Sequence, residues 1–105
     1  MDVEVLRSSV EVIRRSRVIY LFGMGASLCA AKDAYLKFLR LNKLCIINED
    51  WHSQLVQSFN ATAADAALVF SYSGVTAEMV ECMRNLKKNG TAIIAITRCV
   101  QTPVY

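Results

Sequence analysis

The 105-residue sequence is poor in proline and histidine, with one of each, and none of its four cysteines forms a C-x-x-C pair. With 54% of residues apolar, 20% charged and a single proline, it is neither a linker, a collagen-like repeat nor a disordered tail. Cys29, Cys45, Cys82 and Cys99 are spaced 16, 37 and 17 apart, and His52 stands alone, so no zinc pattern is present and no metal or cofactor is expected. The cysteines are expected to be reduced, buried, small hydrophobes, which places the chain in the cytosol. Long hydrophobic runs are also missing. Val18 to Ala31, the longest nearly apolar stretch at 14 residues, falls short of the roughly 20 needed to cross a bilayer. The acidic start Met1-Asp2-Val3-Glu4 does not read as a signal peptide. Twelve Lys plus Arg against nine Asp plus Glu give a net charge of +3, too mild to announce a polyanionic partner. No internal repeat or low-complexity tract is found, and a chain of this length supplies one core and one domain.

Strands and helices are expected to alternate. Val3, Leu6, Val10 and Ile13 recur at helical spacing within Asp2 to Ser16, with Arg7, Arg14 and Arg15 largely on other faces. Val18 to Phe22 is a short continuous apolar run stopped by glycine, as in a parallel strand buried on both faces. A helix capped by Ser27 and running to about Leu41 carries Leu28, Ala31, Ala34, Tyr35, Phe38 and Leu39 on a broad apolar face, with Asp33 and Lys37 as an i,i+4 pair. Lys43 to Ile47 reads as a second strand, Trp51 to Phe59 as a short helix and Ala66 to Phe70 as a third strand. A helix from about Thr76 to Lys88 is expected to bury Val80, Met83 and Leu86, with Asn89-Gly90 stopping it and Thr91 to Ile96 as the fourth strand. Crossovers of this length return the chain parallel to itself, so the expected fold is α/β, a three-layer, flavodoxin-like parallel sheet with helices on both faces. Such folds commonly have five strands, and Thr102-Pro103 reads as another helix start. The sequence is therefore expected to lack its last strand and helix, as a fragment or as an edge completed by a partner.

Two polar loops stand at strand-to-helix turns, where open parallel sheets bind ligands. In Gly23-Met24-Gly25-Ala26-Ser27 the glycines permit close backbone approach, and Ser27 lies where a helix N-terminus favours an anion such as phosphate. Ser71-Tyr72-Ser73-Gly74-Val75-Thr76 offers three aliphatic hydroxyls around a glycine before the next helix. In a 2-1-3-4-5 strand order the loops after strands one and three face one crevice, and hydroxyls there serve both phosphate oxygens and sugar hydroxyls. The alternative for either loop is plain turn and cap chemistry. Leu28 stands where a dinucleotide fingerprint requires its third glycine, and no P-loop is present.

The G-x-G-x-S and S-x-S-G-x-T segments resemble those of the SIS (sugar isomerase) domain over nearly the whole chain. Phe22-Gly23-Met24-Gly25-Ala26-Ser27, Ala31-Lys32-Asp33, Lys37-Phe38-Leu39-Arg40-Leu41-Asn42, Asp50-Trp51-His52-Ser53-Gln54 and Ser71-Tyr72-Ser73-Gly74 are similar to the effector domain of RpiR-type bacterial transcription regulators. That resemblance implies a non-catalytic phosphosugar sensor, dimeric or tetrameric, acting on DNA only through an attached helix-turn-helix domain that this chain does not contain. It implies that Ser27, Ser71, Ser73 and Thr76 hold the sugar phosphate while Gly23, Gly25 and Gly74 shape the loops; Tyr72, from its place inside the hydroxyl loop, can offer a ring or its backbone amide. Two other readings stay open: an aldose-ketose phosphosugar isomerase using His52 or Glu49, and a dimerisation domain that binds nothing.

The remaining polar residues have plainer roles open to them. His52, Glu49 and Asp50 near the end of strand two are weak as acid/base machinery, and structural or ligand-ordering roles fit them better. Glu78 in the first turn of its helix complements the dipole. Arg7, Arg14, Arg15 and Arg17 read as a solvated face, Trp51 as packing or sugar stacking, and the apolar seam of the first helix as a possible joint between protomers.

Overall fold

The computed structural model describes residues 3–71 and 77–97. Eight elements alternate in chain order: α1 (Val3–Arg15), β1 (Ile19–Phe22), α2 (Ala26–Arg40), β2 (Cys45–Ile47), α3 (Trp51–Asn60), β3 (Ala66–Ser71), α4 (Ala77–Lys88) and β4 (Ala92–Thr97). The strands form a four-stranded sheet in the order β2-β1-β3-β4, parallel throughout. This is the α/β architecture expected, and the order puts β1 and β3 side by side, with Phe22 opposite Val69.

Every described residue of β1 and β3 is buried, so alternate side chains serve two cores. Tyr20, Phe22, Ala67 and Val69 point to the face covered by α3 and α4, where they meet Met79, Cys82 and Leu86. Ile19, Leu21, Leu68 and Phe70 point to the other face, packed with Ala31, Tyr35 and Phe38 of α2 and Ile13 of α1. The three layers follow directly from these two clusters.

Several sequence expectations shift by one position around a helix. On α4 the buried residues are Met79, Cys82 and Leu86, while Met83 is partly buried and Val80 is 42% exposed. The sheet-facing stripe runs through 79, 82 and 86, and residue 80 lies about 100° round from 79. On α2 the stripe runs through Ala31 and Phe38, which turns Leu39 to solvent. Cys45 and Cys82 are buried as expected, but Cys29 is exposed on the outer face of α2, so the expectation of a buried thiol fails there. The Asp33–Lys37 pair forms at 2.9 Å. Gly90, at φ +79°, ends α4 as a left-handed stop. Cys99 and the helix start at Thr102-Pro103 lie outside the described residues.

The lower, amino-terminal edge of the sheet is tied by charge. Asp65 is fully buried and accepts from the Thr62 backbone N–H at 2.8 Å and its hydroxyl at 3.0 Å, while the Arg17 guanidinium reaches it at 3.3 Å. Arg17 thus does more than solvate a face. Arg14 and Arg15 both pair with Glu11 on the surface of α1, as a solvated face implies. The Lys43 ammonium donates to the backbone carbonyls of Arg14 and Ser16, neutralising the carboxyl end of α1.

Candidate functional site

The carboxyl edge of β1 and β3 is where the polar loops begin. Gly23 leaves β1, and Gly25 takes the N-cap position of α2 with φ +60° and ψ −128°, a conformation open to glycine and strained for residues with a side chain. Among the described residues, a Cβ built on Gly25 would meet nothing within 4 Å, so the backbone here is open on that side. Gly23 is the opposite case: a Cβ would lie 3.0 Å from the Ser27 carbonyl oxygen, and only glycine lets the loop fold back that closely.

Ser27 was expected to cap α2, and it does not. It lies inside the first turn, its backbone N–H bonded to the Met24 carbonyl at 3.1 Å, and its side chain is buried. The cap position passes to Gly25 because the positive φ lets the chain enter the helix two residues earlier, and the cap residue itself brings no side chain. Ser71, the last residue of β3, is buried at the same sheet edge. Gly25, Ser27 and Ser71 therefore share the edge of two adjacent parallel strands, the point at which the crossovers diverge. Tyr72, Ser73, Gly74 and Thr76 lie outside the described residues.

The glycine loop is held from below by a residue that the sequence reading named only within a motif. Gln54 on α3 is 1% exposed. Its Oε1 accepts from the Gly23 N–H at 3.1 Å, and its Nε2 donates to the Gly23 carbonyl at 2.8 Å and to the Asn48 carbonyl at 3.0 Å. The backbone pairing of β1 with β2 ends at Leu21 opposite Ile47, so the Gln54 amide extends the ladder by side chain where the neighbouring strand has stopped. Its placement depends on the α3 N-cap, where the Asp50 carboxylate accepts from the Ser53 N–H at 2.9 Å. Those hydrogen bonds from Ser53 hold the Asp50 carboxyl below its usual range.

The SIS domain family matches residues 12–105. This chain belongs to the SIS domain family. An uncharacterized HTH-type transcriptional regulator of Caldanaerobacter subterraneus is 36% identical over 99% of this chain, which spans 37% of that relative. Among solved structures, the Vibrio vulnificus NanR protein complexed with ManNAc-6P superposes with a TM-score of 0.87 at 23% identity, over 96% of this chain and 38% of NanR. The sugar isomerase domain of an RpiR transcription factor from Sphaerobacter thermophilus superposes at 0.83 with 21% identity, over 91% of this chain and 54% of that one. At these identities the superpositions show the shared fold.

The residues weighed as acid/base machinery in this SIS domain are exposed, and two of them are engaged in other contacts. Glu49 is exposed and pairs with Lys32 at 3.2 Å, Asp50 is occupied as the α3 cap, and His52 is exposed on the first turn of α3. Trp51 packs against the core under α3 and α4. Among the described residues, no group of three or more His, Cys, Asp or Glu could hold a metal ion, and no helix is long and apolar enough to cross a membrane. Cys82, buried beneath α3 with its Sγ 3.9 Å from the Gln54 carbonyl, has its thiol pushed up to about 11 by desolvation. It is a packed, unreactive thiol. A signal for Gln54 did exist in the sequence: a polar residue three positions past Trp51 and four past the Asp50 cap falls on the inward face of a short helix.

Proposed function

We propose that residues 1–105 form a sugar-phosphate-sensing domain of an RpiR-type transcription regulator, binding its ligand without turning it over. The ligand sits in the crevice of Gly25, Ser27 and Ser71, with Tyr72, Ser73, Gly74 and Thr76 as the further ligand-binding residues of the same motifs. The observation that carries this reading is the placement of the glycine loop and of Ser71 at the ends of adjacent parallel strands, with the backbone of Gly25 open at a helix N-terminus. Such an end attracts a phosphate through its backbone N–H groups and the helix dipole, without a buried lysine or arginine. The naming of relatives as HTH-type transcriptional regulators and the ManNAc-6P bound by NanR support the same ligand class. The engagement of Glu49 with Lys32 and of Asp50 with the α3 N-terminus, and the exposure of all three of Glu49, Asp50 and His52, support binding over isomerisation. DNA is engaged only through an attached helix-turn-helix domain, and the sensing unit is a homodimer or homotetramer.

The test is thermal unfolding of this chain with ManNAc-6P, glucose 6-phosphate and fructose 6-phosphate, each beside its free sugar, repeated on Ser73→Ala. A ligand bound to the native state at a hundredfold excess over its Kd stabilises by roughly 2.7 kcal/mol. A rise that requires the phosphate and is lost in Ser73→Ala is the expected result. Equal shifts with the free sugars sink the phosphate site, turnover of any sugar phosphate replaces sensing with isomerisation, and a flat response across the panel leaves a domain that serves assembly alone.

A further inference from the structure

Gln54 is buried at 1% exposure on a short helix, yet all of its amide hydrogen bonding is spent outside that helix. Both backbone groups of Gly23 are bonded to this one side chain, and the same Nε2 lies 3.5 Å from the Met24 Sδ. On its other side Gly23 is pressed against Ser27, with no room for a Cβ. The peptide units that lead into Gly25 are thereby clamped between α3 and the first turn of α2. The Ser58 hydroxyl on the same helix, by contrast, is satisfied locally by the Leu55 carbonyl. Gln54 instead reaches across to the carboxyl edge of β1, which borders the crevice, and to Asn48 at the end of the neighbouring β2.

We propose that Gln54 is a positioning residue for the phosphate-binding loop: its amide sets the direction in which the backbone of Gly23 to Ser27 faces the ligand, so that ligand affinity depends on a side chain placed behind the loop. This rests on the sugar-phosphate reading of the crevice. The chemistry demands an amide. One acceptor and two donors at this reach match the Gly23 N–H, the Gly23 carbonyl and the Asn48 carbonyl, whereas an ionised carboxylate offers no donor and sets negative charge against two carbonyl oxygens. A neutral carboxylic acid regains one donor while keeping the acceptor.

The experiment compares Gln54→Glu with Ser58→Ala, a variant that loosens the same helix without touching the loop. Two readouts are taken on each folded protein between pH 5 and 8: amide hydrogen exchange along Gly23 to Ser27, and the Kd for glucose 6-phosphate and ManNAc-6P by calorimetry. For Gln54→Glu at neutral pH, exchange should accelerate at the loop and affinity should fall about tenfold or more, the scale of a directed hydrogen bond to a charged group. Relative to the unaltered chain, affinity should recover toward pH 5 as the introduced carboxyl is protonated, while Ser58→Ala shows neither change. If Gln54→Glu does not fold, Gln54→Met, which keeps the volume and removes the amide, is taken through the same two measurements and must show faster loop exchange and weaker binding without the pH recovery. Unchanged loop exchange, or an affinity loss matched by Ser58→Ala, overturns the positioning role. Faster loop exchange in a chain that binds neither sugar phosphate upholds the clamp and overturns the ligand reading instead.

Discussion

Gly25→Ala separates backbone strain from steric blockade, because the space above Gly25 is open. The residue sits at φ +60° and ψ −128°, and an added Cβ would touch none of the described residues within 4 Å. The cost of the methyl group is therefore conformational. Holding a residue with a side chain in so sparsely populated a region costs about 1–3 kcal/mol. For a domain of this size that lowers Tm by on the order of 5–15 °C. Gly90→Ala is the control: φ is +79°, the new Cβ would lie at an ordinary 3.5 Å from the Ala63 Cβ, and the position is the stop of α4, away from the loop. Its expected loss is comparable, about 1–2 kcal/mol for a single left-handed residue. The two variants should melt within a few degrees of each other, yet only Gly25→Ala should weaken sugar-phosphate binding, since its loop either relaxes away or presents a methyl group to the ligand. Differential scanning calorimetry with and without ligand reads both effects. A Gly25→Ala protein as stable as the unaltered chain would refute the positive-φ cap, and equal affinity losses in the two variants would refute the approach of ligand to Gly25.

Leu86→Ala should cost about 2–5 kcal/mol by urea unfolding, because Leu86 is fully buried beneath α4, whereas Val80→Ala on the exposed side should stay within about 0.5 kcal/mol; a reversed order would mean α4 is rotated. In the native protein a thiol reagent at pH 8 followed by peptide mapping should modify Cys29 and spare Cys45 and Cys82, whose thiols burial pushes up, to about 11 for Cys82. Labelling of Cys82 as fast as Cys29 would contradict the packing of α3 on α4. The Asp50 carboxyl is held below its usual range by Ser53, so its capping contribution is complete above the ordinary carboxylate range and is lost as pH falls through the lowered value. The stability gap between the unaltered chain and Asp50→Ala should therefore be flat at neutral pH and close in strong acid, and Asp50→Asn, which still caps, should show a smaller gap. A gap that widens on acidification would reverse the sign and remove Asp50 from the cap.

The sheet was legible because β1 and β3 are buried on both faces and must be written as continuous apolar runs, Ile19 to Phe22 and Ala66 to Phe70. The parallel direction of the strands was legible from their alternation with helices, since long crossovers return the chain parallel to itself, whereas their order came from the flavodoxin-like pattern. Helix faces were harder. Val80 and Met79 are both apolar, and composition cannot say which one meets the sheet until the sheet is present to choose. The loop after β1 announced itself by its glycines, but Ser27 is the residue type that caps helices, and its placement inside the first turn follows from the positive φ of Gly25. Cys29 misled for a related reason: its neighbours in sequence are apolar, while its neighbours in space are solvent.

The order of elements, the parallel sheet and the location of two polar loops at strand ends were determined by the sequence alone, because these depend on local periodicity and on residue types within a few positions of one another. The roles of Gln54, Asp65 and Arg17 were decided only in the tertiary structure. Gln54 and Gly23 are 31 residues apart, and Arg17 and Asp65 are 48 apart. A buried amide or carboxylate is costly until it meets its partner. That partner is supplied by a different crossover of the chain, which no local pattern encodes.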